Sequence, residues 1–435
     1  MLAAIGASAA RDTRTGGGHS DDGVDTGVVT FSPGEVRRIL SHSPLPDPPD
    51  DPTNRVADDP NAAAFGRTLF FDPRLSGTGD VSCATCHEPH LGFADRRQLA
   101  VGAGESTRHS MSLWNVAYNR WFFWDGRSDT LWGQAVQPIE RDVEMDSTRV
   151  AAVRLVLGDP ELRAAYEGIF GEAPEVDPAW PPTAMPHPTN PDHVEHVAWM
   201  SIDAGDRAVI DETYANIGKS IAAFERTLLS RRAPFDVFVE GIREGDAAKL
   251  EALSPAAQRG LQLFIGRAEC RSCHLGPNFT DGEFHDIMVP PLGGGMPRDQ
   301  GRYKGARGLS TDPFNATGPW SDDREGTAAM RTARLVHSPA LWGQFKTPTL
   351  RNVALSPPYM HQGQFESLDR VIEYYSTLEG AVRMHHHQES VLIPLELTAG
   401  EKADLRSFLE SLTDDSGVAK FPVPPAEAAG GETRK

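Results

Sequence analysis

The chain contains only four cysteines, and all four stand in one repeated pattern. Cys83-Ala-Thr-Cys86-His87 and Cys270-Arg-Ser-Cys273-His274 are both Cys-x-x-Cys-His. Two thiols three residues apart reach two vinyl positions of a porphyrin as thioethers. The adjacent imidazole then lies under the iron as its axial ligand. A four-cysteine zinc site would place its pairs about 15–20 residues apart. Here the first thiols are 270 − 83 = 187 residues apart, and a histidine follows each pair. A thioredoxin-like redox pair needs a βαβ setting, and no such pattern surrounds either pair. The residue types therefore point to two covalently held c-type haems, with no cysteine left over for a disulfide.

Such loops must be carried by helices, and helical periodicity dominates the 435 residues. Apolar spacing predicts helices over 60–70, 148–157, 160–170, 210–229, 254–264, 368–375 and 398–412. The last of these opens on the capping-box pattern Thr398-Ala-Gly-Glu401. No sustained period-two run occurs, so the expected class is mainly α, with two cytochrome c-like haem domains and long ordered loops. Phe65-Gly-Arg-Thr-Leu-Phe-Phe71 leads into the first motif and Arg259-Gly-Leu-Gln-Leu-Phe264 into the second, an internal repeat of helix then haem loop. The boundaries expected are a flexible segment at 1–45, a first haem domain at 46–231, a second at 232–415 and a flexible tail at 416–435. Within the first domain, 172–192 holds seven prolines and reads as a surface insertion. The stretch 290–320, rich in Gly, Pro and Arg, reads as a long ordered loop. His187, His193 and His196 lie in or beside the insertion. His385-His386-His387 is read as a solvated loop with a metal-binding alternative.

Composition narrows the partners. Acids outnumber bases by 61 to 42, a formal charge of −19, which argues against nucleic-acid binding because that rests on Lys and Arg neutralising phosphates. No apolar run is long enough for a transmembrane helix. The start, MLAAIGASAA, lacks the basic region of an export signal and fits either a trimmed signal or a disordered beginning. Covalent haem attachment itself points to the periplasm.

Beyond the haem motifs, ordered strings run through the chain. They are Leu69-Phe-Phe-Asp-Pro-Arg-Leu-Ser76, Phe123-Trp-Asp-Gly-Arg127, Gln134 to Met145, Pro348-Thr-Leu-Arg-Asn-Val353 and Pro358-Tyr-Met-His361. Together they resemble the bacterial di-haem cytochrome c peroxidase/MauG superfamily over about residues 60–413, and within it the MauG-like MbnH branch. The resemblance implies His87 as axial ligand of a first, peroxide-reacting haem. Gln134, Pro138 and Glu144 match its distal pocket, where a carboxylate can shuttle a proton between the peroxide oxygens. Trp124 matches the tryptophan between the two haems. His274 is implied as axial ligand of the second haem. Its sixth ligand falls at Tyr375, where ordinary peroxidases have methionine and MauG-like proteins tyrosine; the adjacent Tyr374 is the rival.

Two departures bear on the chemistry. Val101-Gly102-Ala103 stands where many peroxidases carry Val-Gly-His, so the first haem is expected to be open without reductive activation. His109 stands where the family has the asparagine that helps hold a calcium ion between the haems. Ser356 and Pro358 match other calcium positions, with Ser in place of the commoner Thr. The resemblance thus implies a periplasmic enzyme that uses hydrogen peroxide to reach a high-valent di-haem state and oxidises a partner protein at tryptophan. The alternatives are a detoxifying peroxidase fed by a small cytochrome or copper protein, whose basic surface the acidic chain would suit, and a plain di-haem electron carrier.

Overall fold

The protein was analysed as a computed structural model, which describes residues 23–384 and 389–418. Local sequence accounts for most of its helices. Pro60–Phe71 begins where the Asp59 carboxylate accepts from the Asn61 and Ala62 N–H groups, with proline in the first turn. Ser254 and Pro255 start Pro255–Ile265 in the same way. Thr398 and Glu401 close a reciprocal capping box on Ala399–Glu410. Among the described residues sheet is confined to two short antiparallel pairs, Val24–Asp25 with Thr30–Phe31 and Phe284–His285 with Phe345–Lys346.

Two apolar cores organise these elements. The first centres on Ala204–Glu225, the 22-residue helix that packs against both Pro60–Phe71 and Leu131–Val136. Its crossings need glycine. A Cβ on Gly66 would lie 1.8 Å from Ser220 O, and one on Gly218 would lie 2.5 Å from Trp132 O. The second core gathers Phe235, Phe264, Phe279 and Phe408. There Pro255–Ile265 crosses Ala399–Glu410 so closely that a Cβ on Gly260 would lie 2.0 Å from Asp404 O. The glycines inside the two repeated lead strings, Gly66 and Gly260, are thus what lets each lead helix touch a partner backbone.

Three expectations change. Residues 1–45 do not form one flexible segment, because from Gly23 onward they make a hairpin and the helix Pro33–Leu40, capped by Ser32 and Glu35. Phe31, Val36 and Ile39 are buried in the second core, far along the chain from their neighbours. A short apolar segment with no partner nearby in sequence carries no periodic signal of this. The proline-rich insertion is also more than a surface feature. Trp180 is buried in the first core, donates from Nε1 to Asp206 (3.1 Å), and its carbonyl accepts from Arg154 (3.0 Å). Within 290–320 the helix Arg302–Leu309 forms, and the buried Arg302 donates to Gly126 O (2.6 Å) while lying over Trp121 and Phe284. Phe314 of that stretch joins the first core, so the second half of the chain completes the first unit. Val194–Ser201 and Pro234–Glu244 are further helices that periodicity did not mark. Residues 1–22, His385-His386-His387 and most of the tail lie outside the described residues.

The packing of the N-terminal segment is testable. Phe31→Ala empties a fully buried ring site and should lower stability by about 3–5 kcal/mol, read as a shifted denaturant midpoint. An unchanged midpoint would mean that this segment does not belong to the core.

Candidate active site

The two Cys-x-x-Cys-His loops have one architecture. Cys83–Cys86 forms a single helical turn whose carbonyl at Cys83 accepts from His87 N–H (3.0 Å). At the second loop His274 N–H donates to Cys270 O at the same distance. Each imidazole is then oriented by its own loop. His87 Nδ1–H donates to Phe93 O (3.0 Å) and His274 Nδ1–H to Phe279 O (3.0 Å). A carbonyl only accepts, so these bonds set the tautomer and make Nε2 the acceptor nitrogen. Phe93 and Phe279 are fully buried and sit at φ 55° and 51°, each reached through a glycine with positive φ, Gly92 or Gly276. Burial lowers the pKa of both histidines, which keeps them neutral and able to ligate. It pushes Cys83, Cys86 and Cys270 up to about 12, so these are protonated thiols and not activated thiolates. This donor chemistry fits covalent haem at both loops.

The second loop opens onto a cavity of about 740 Å³, lined by Cys270, Cys273, His274 and Tyr375, with apolar walls from Phe264, Leu368, Ile372 and Leu405. That volume and lining suit one large planar apolar ligand. The two adjacent tyrosines on Leu368–Thr377 part company here. Tyr374 is buried and donates its hydroxyl to Ile287 O (2.6 Å), whereas Tyr375 lines the cavity. Burial, followed by the neighbouring Tyr374 hydroxyl, pushes the Tyr375 phenol well above its ordinary range. Trp124, Ser356 and Pro358 line the same cavity.

The string Phe123-Trp-Asp-Gly-Arg127 faces both ways. Trp124 is held at the cavity by Nε1–H donating to His109 O (2.9 Å) and by its carbonyl accepting from Lys346 N–H (2.8 Å). Phe123 packs on the first core under the Arg127 guanidinium, 3.4 Å from its ring centroid. Arg127 pairs with Asp125 (3.3 Å) and reaches Glu144 (3.9 Å), which Arg141 also holds (2.9 Å). Gly126 adopts φ 64°, and a Cβ there would strike Phe284 and Arg302.

Around the first loop, the charge of Glu144 acts on Cys83, Cys86 and His87. Gln134, on Leu131–Val136, buries its Oε1 without a protein partner. The Pro138 carbonyl accepts from Met145 N–H (3.2 Å), which folds the Glu144 turn back beside it. Ala103 N–H donates to Glu144 O (2.8 Å), and Val101 O accepts from Cys86 Sγ (3.7 Å). The segment that differs from the common Val-Gly-His string therefore lies between the cysteine loop and the Glu144 backbone. His109 is fixed elsewhere. It is buried, with Nδ1–H donating to Arg97 O (2.8 Å) and its own N–H to His361 O (2.9 Å).

One residue escaped the sequence. Glu225, at the end of Ala204–Glu225, is buried, its Oε2 has no partner, and burial raises its pKa to about 8. Its charge would act on Cys83. On the helical wheel it stands four residues after Ile221 and eight after Ile217, at the edge of the apolar stripe, and that spacing was the signal that would have marked it as turned inward.

Two such loops on one helical chain define a di-haem c-type protein. Comparison with known proteins agrees. The family model described as "Di-haem cytochrome c peroxidase" matches residues 60–244. The methylamine utilization protein MauG of Methylorubrum extorquens is 32% identical, over 84% of this chain and 82% of that protein. The cytochrome-c peroxidase IdrP1 of a Pseudomonas species is 28% identical, over 86% of each. A solved structure of a MauG-like protein associated with microbial copper homeostasis superposes with a TM-score of 0.60 at 24% identity, over 87% of this chain and 97% of that one. The chain belongs to the di-haem cytochrome c peroxidase/MauG family and is a haem-dependent oxidoreductase that acts with peroxide. No described helix is long and apolar enough to cross a membrane.

Two outcomes follow. Cys270→Ser with Cys273→Ser should lower the intact mass by one haem and leave one covalent haem in place; retention of both would remove the second loop from the site. The raised pKa of Glu225 favours its protonated form in the folded state. The stability this contributes is complete below the ordinary value of 4.5 and is lost as pH rises through about 8. Glu225→Gln should therefore flatten the fall of the denaturation midpoint across that window, and an unchanged slope would contradict the assignment.

Proposed function

We propose that this protein is a periplasmic MauG-type oxidase, in which hydrogen peroxide is consumed at the first haem and a tryptophan of a partner protein is oxidised at a distance. The observation that carries this is the Phe123–Arg127 string, which presents Arg127 to Glu144 at one loop and Trp124 to the His274 cavity at the other. When bound, two c-type haems supply the two-electron reduction of peroxide and the storage of oxidising equivalents. His87 and His274 would hold the haem irons through Nε2, and Tyr375, which lines the His274 cavity, would supply a further oxygen ligand to the second. Glu144, partly exposed and steadied by Arg141, takes a proton from one peroxide oxygen and returns it to the other. Gln134 and Pro138 shape the space beside it. Trp124 provides an aromatic step between the two sites. Ser356 and Pro358, at positions that match the family's calcium site, would help to hold a calcium ion.

Tyr375 supports this reading over a plain peroxidase, because a phenolate ligand lowers the potential that a thioether would raise. The second reading, a cytochrome c peroxidase, is favoured by the likeness to IdrP1 and by an acidic surface suited to a basic donor.

Addition of peroxide to the diferric protein should produce a near-infrared charge-resonance band, and mass spectrometry of a co-expressed partner should show oxygen gained on one tryptophan. Rapid turnover with reduced cytochrome c and no such band would favour the second reading. Tyr375→Met should change the low-spin spectrum and raise that haem's potential. Glu144→Gln should slow the reaction with peroxide by about 10²–10⁴-fold in stopped-flow traces.

A further inference from the structure

Outside the haem sites, three metal-ligating side chains converge where the proline-rich insertion meets the helix Val194–Ser201. The ligand atoms of His187, His193 and Glu195 all lie within 4.8 Å of one another. His187 Nε2 is 2.7 Å from Glu195 Oε2, and His193 Nδ1 is 3.5 Å from the same oxygen. The two imidazoles stack, with centroids 4.0 Å apart and planes inclined by 35°. His193 Nδ1 is buried and makes no hydrogen bond. The backbone holds the trio in place. Asn190 N–H donates to His187 O (2.9 Å), His193 N–H to Asn190 O (3.1 Å), and Met185 N–H to Glu195 O (3.2 Å). The His187 N–H donates to His196 Nδ1 (2.9 Å), so His196 braces the loop.

We propose that His187, His193 and Glu195 form a site for a divalent transition-metal ion of the zinc class, distinct from both haems. Two imidazole nitrogens and one carboxylate oxygen are the donor set that such ions prefer, and calcium and magnesium, which take oxygen ligands, do not. Ligands bonded at about 2.0–2.1 Å around a tetrahedral ion stand about 3.3 Å apart. The close His187–Glu195 pair must therefore open slightly and the wider separations close, which side-chain rotation accomplishes. The three side chains are 28%, 39% and 31% exposed, so an ion and a fourth, water ligand can reach them. The ion would replace the hydrogen bond between His187 and Glu195 and draw His193 Nδ1 into use. It would join the insertion, already anchored by Trp180, to the start of the next helix.

The test uses the di-haem holoprotein, loaded with zinc, passed through a desalting column and analysed for zinc and iron together. The wild type should retain one zinc for every two irons. His187→Ala with His193→Ala should retain its iron and lose the zinc. Glu195→Gln, which keeps a hydrogen-bond acceptor beside His187, should weaken zinc at least about tenfold with unchanged haem spectra. If the double variant does not fold, Glu195→Gln decides. Failure of the wild type to hold zinc, or equal retention by these variants, would overturn the proposal. So would loss of zinc only when His385, His386 and His387 are replaced by alanine.

Discussion

Everything at the two sites depends on a single hydrogen bond made twice, from a histidine Nδ1 to a carbonyl five or six residues further on. His87 gives its proton to Phe93 O and His274 to Phe279 O. With Nδ1 committed to a carbonyl, Nε2 is the nitrogen left to accept a metal. The acceptor carbonyl is placed by a buried phenylalanine in the left-handed region, and that residue is in turn held by the aromatic core. Phe279 packs against Phe235, Phe264 and Phe408, and Phe93 against Phe70 and Trp114. The cores therefore do more than stabilise the chain, since they orient the nitrogen that a metal would meet.

The second constraint is the close approach of backbones at glycine. Gly66, Gly218 and Gly260 bring helices to within contact of each other's carbonyls. Gly102 does the same for a loop, since a Cβ there would lie 2.2 Å from Glu144 O. Together these contacts fix how the helices cross and seat the 102–104 loop on the Glu144 backbone. Gly126 lets the Phe123–Arg127 string turn sharply enough to serve both sites. The ion pair Arg108–Asp125 (2.8 Å) and the fully buried pair Arg351–Asp236 (2.9 Å) then lock the connecting loops, and removing Arg351 would leave Asp236 a buried charge without its cation.

Much of this was legible in the sequence, and the reasons for the rest are physical. The helices 60–70, 160–170 and 398–412 were readable because their caps and apolar faces are local. The haem motifs were readable because thioether attachment demands fixed spacing. Trp180 and the hairpin of residues 24–31 were not, since each acquires its role from contacts more than twenty residues away. Periodicity records the face a helix turns inward, not which distant surface meets it. The choice between Tyr374 and Tyr375 is of the same kind, for adjacent residues differ only in which one the core claims.

The sequence by itself determined the chemistry available here. It specified two Cys-x-x-Cys-His loops, helices to carry them, an acidic chain, and the ordered strings that mark the family. Covalent ligand spacing and helical periodicity are short-range properties, and a linear chain states them in full. Only the tertiary structure decided which groups share a space. It put Trp124 and Tyr375 on one cavity, Glu144 beside Arg127, Glu225 out of water, and the N-terminal segment in the second core. Those outcomes depend on burial and on distances between residues far apart in the chain, and both exist only once the two cores have closed.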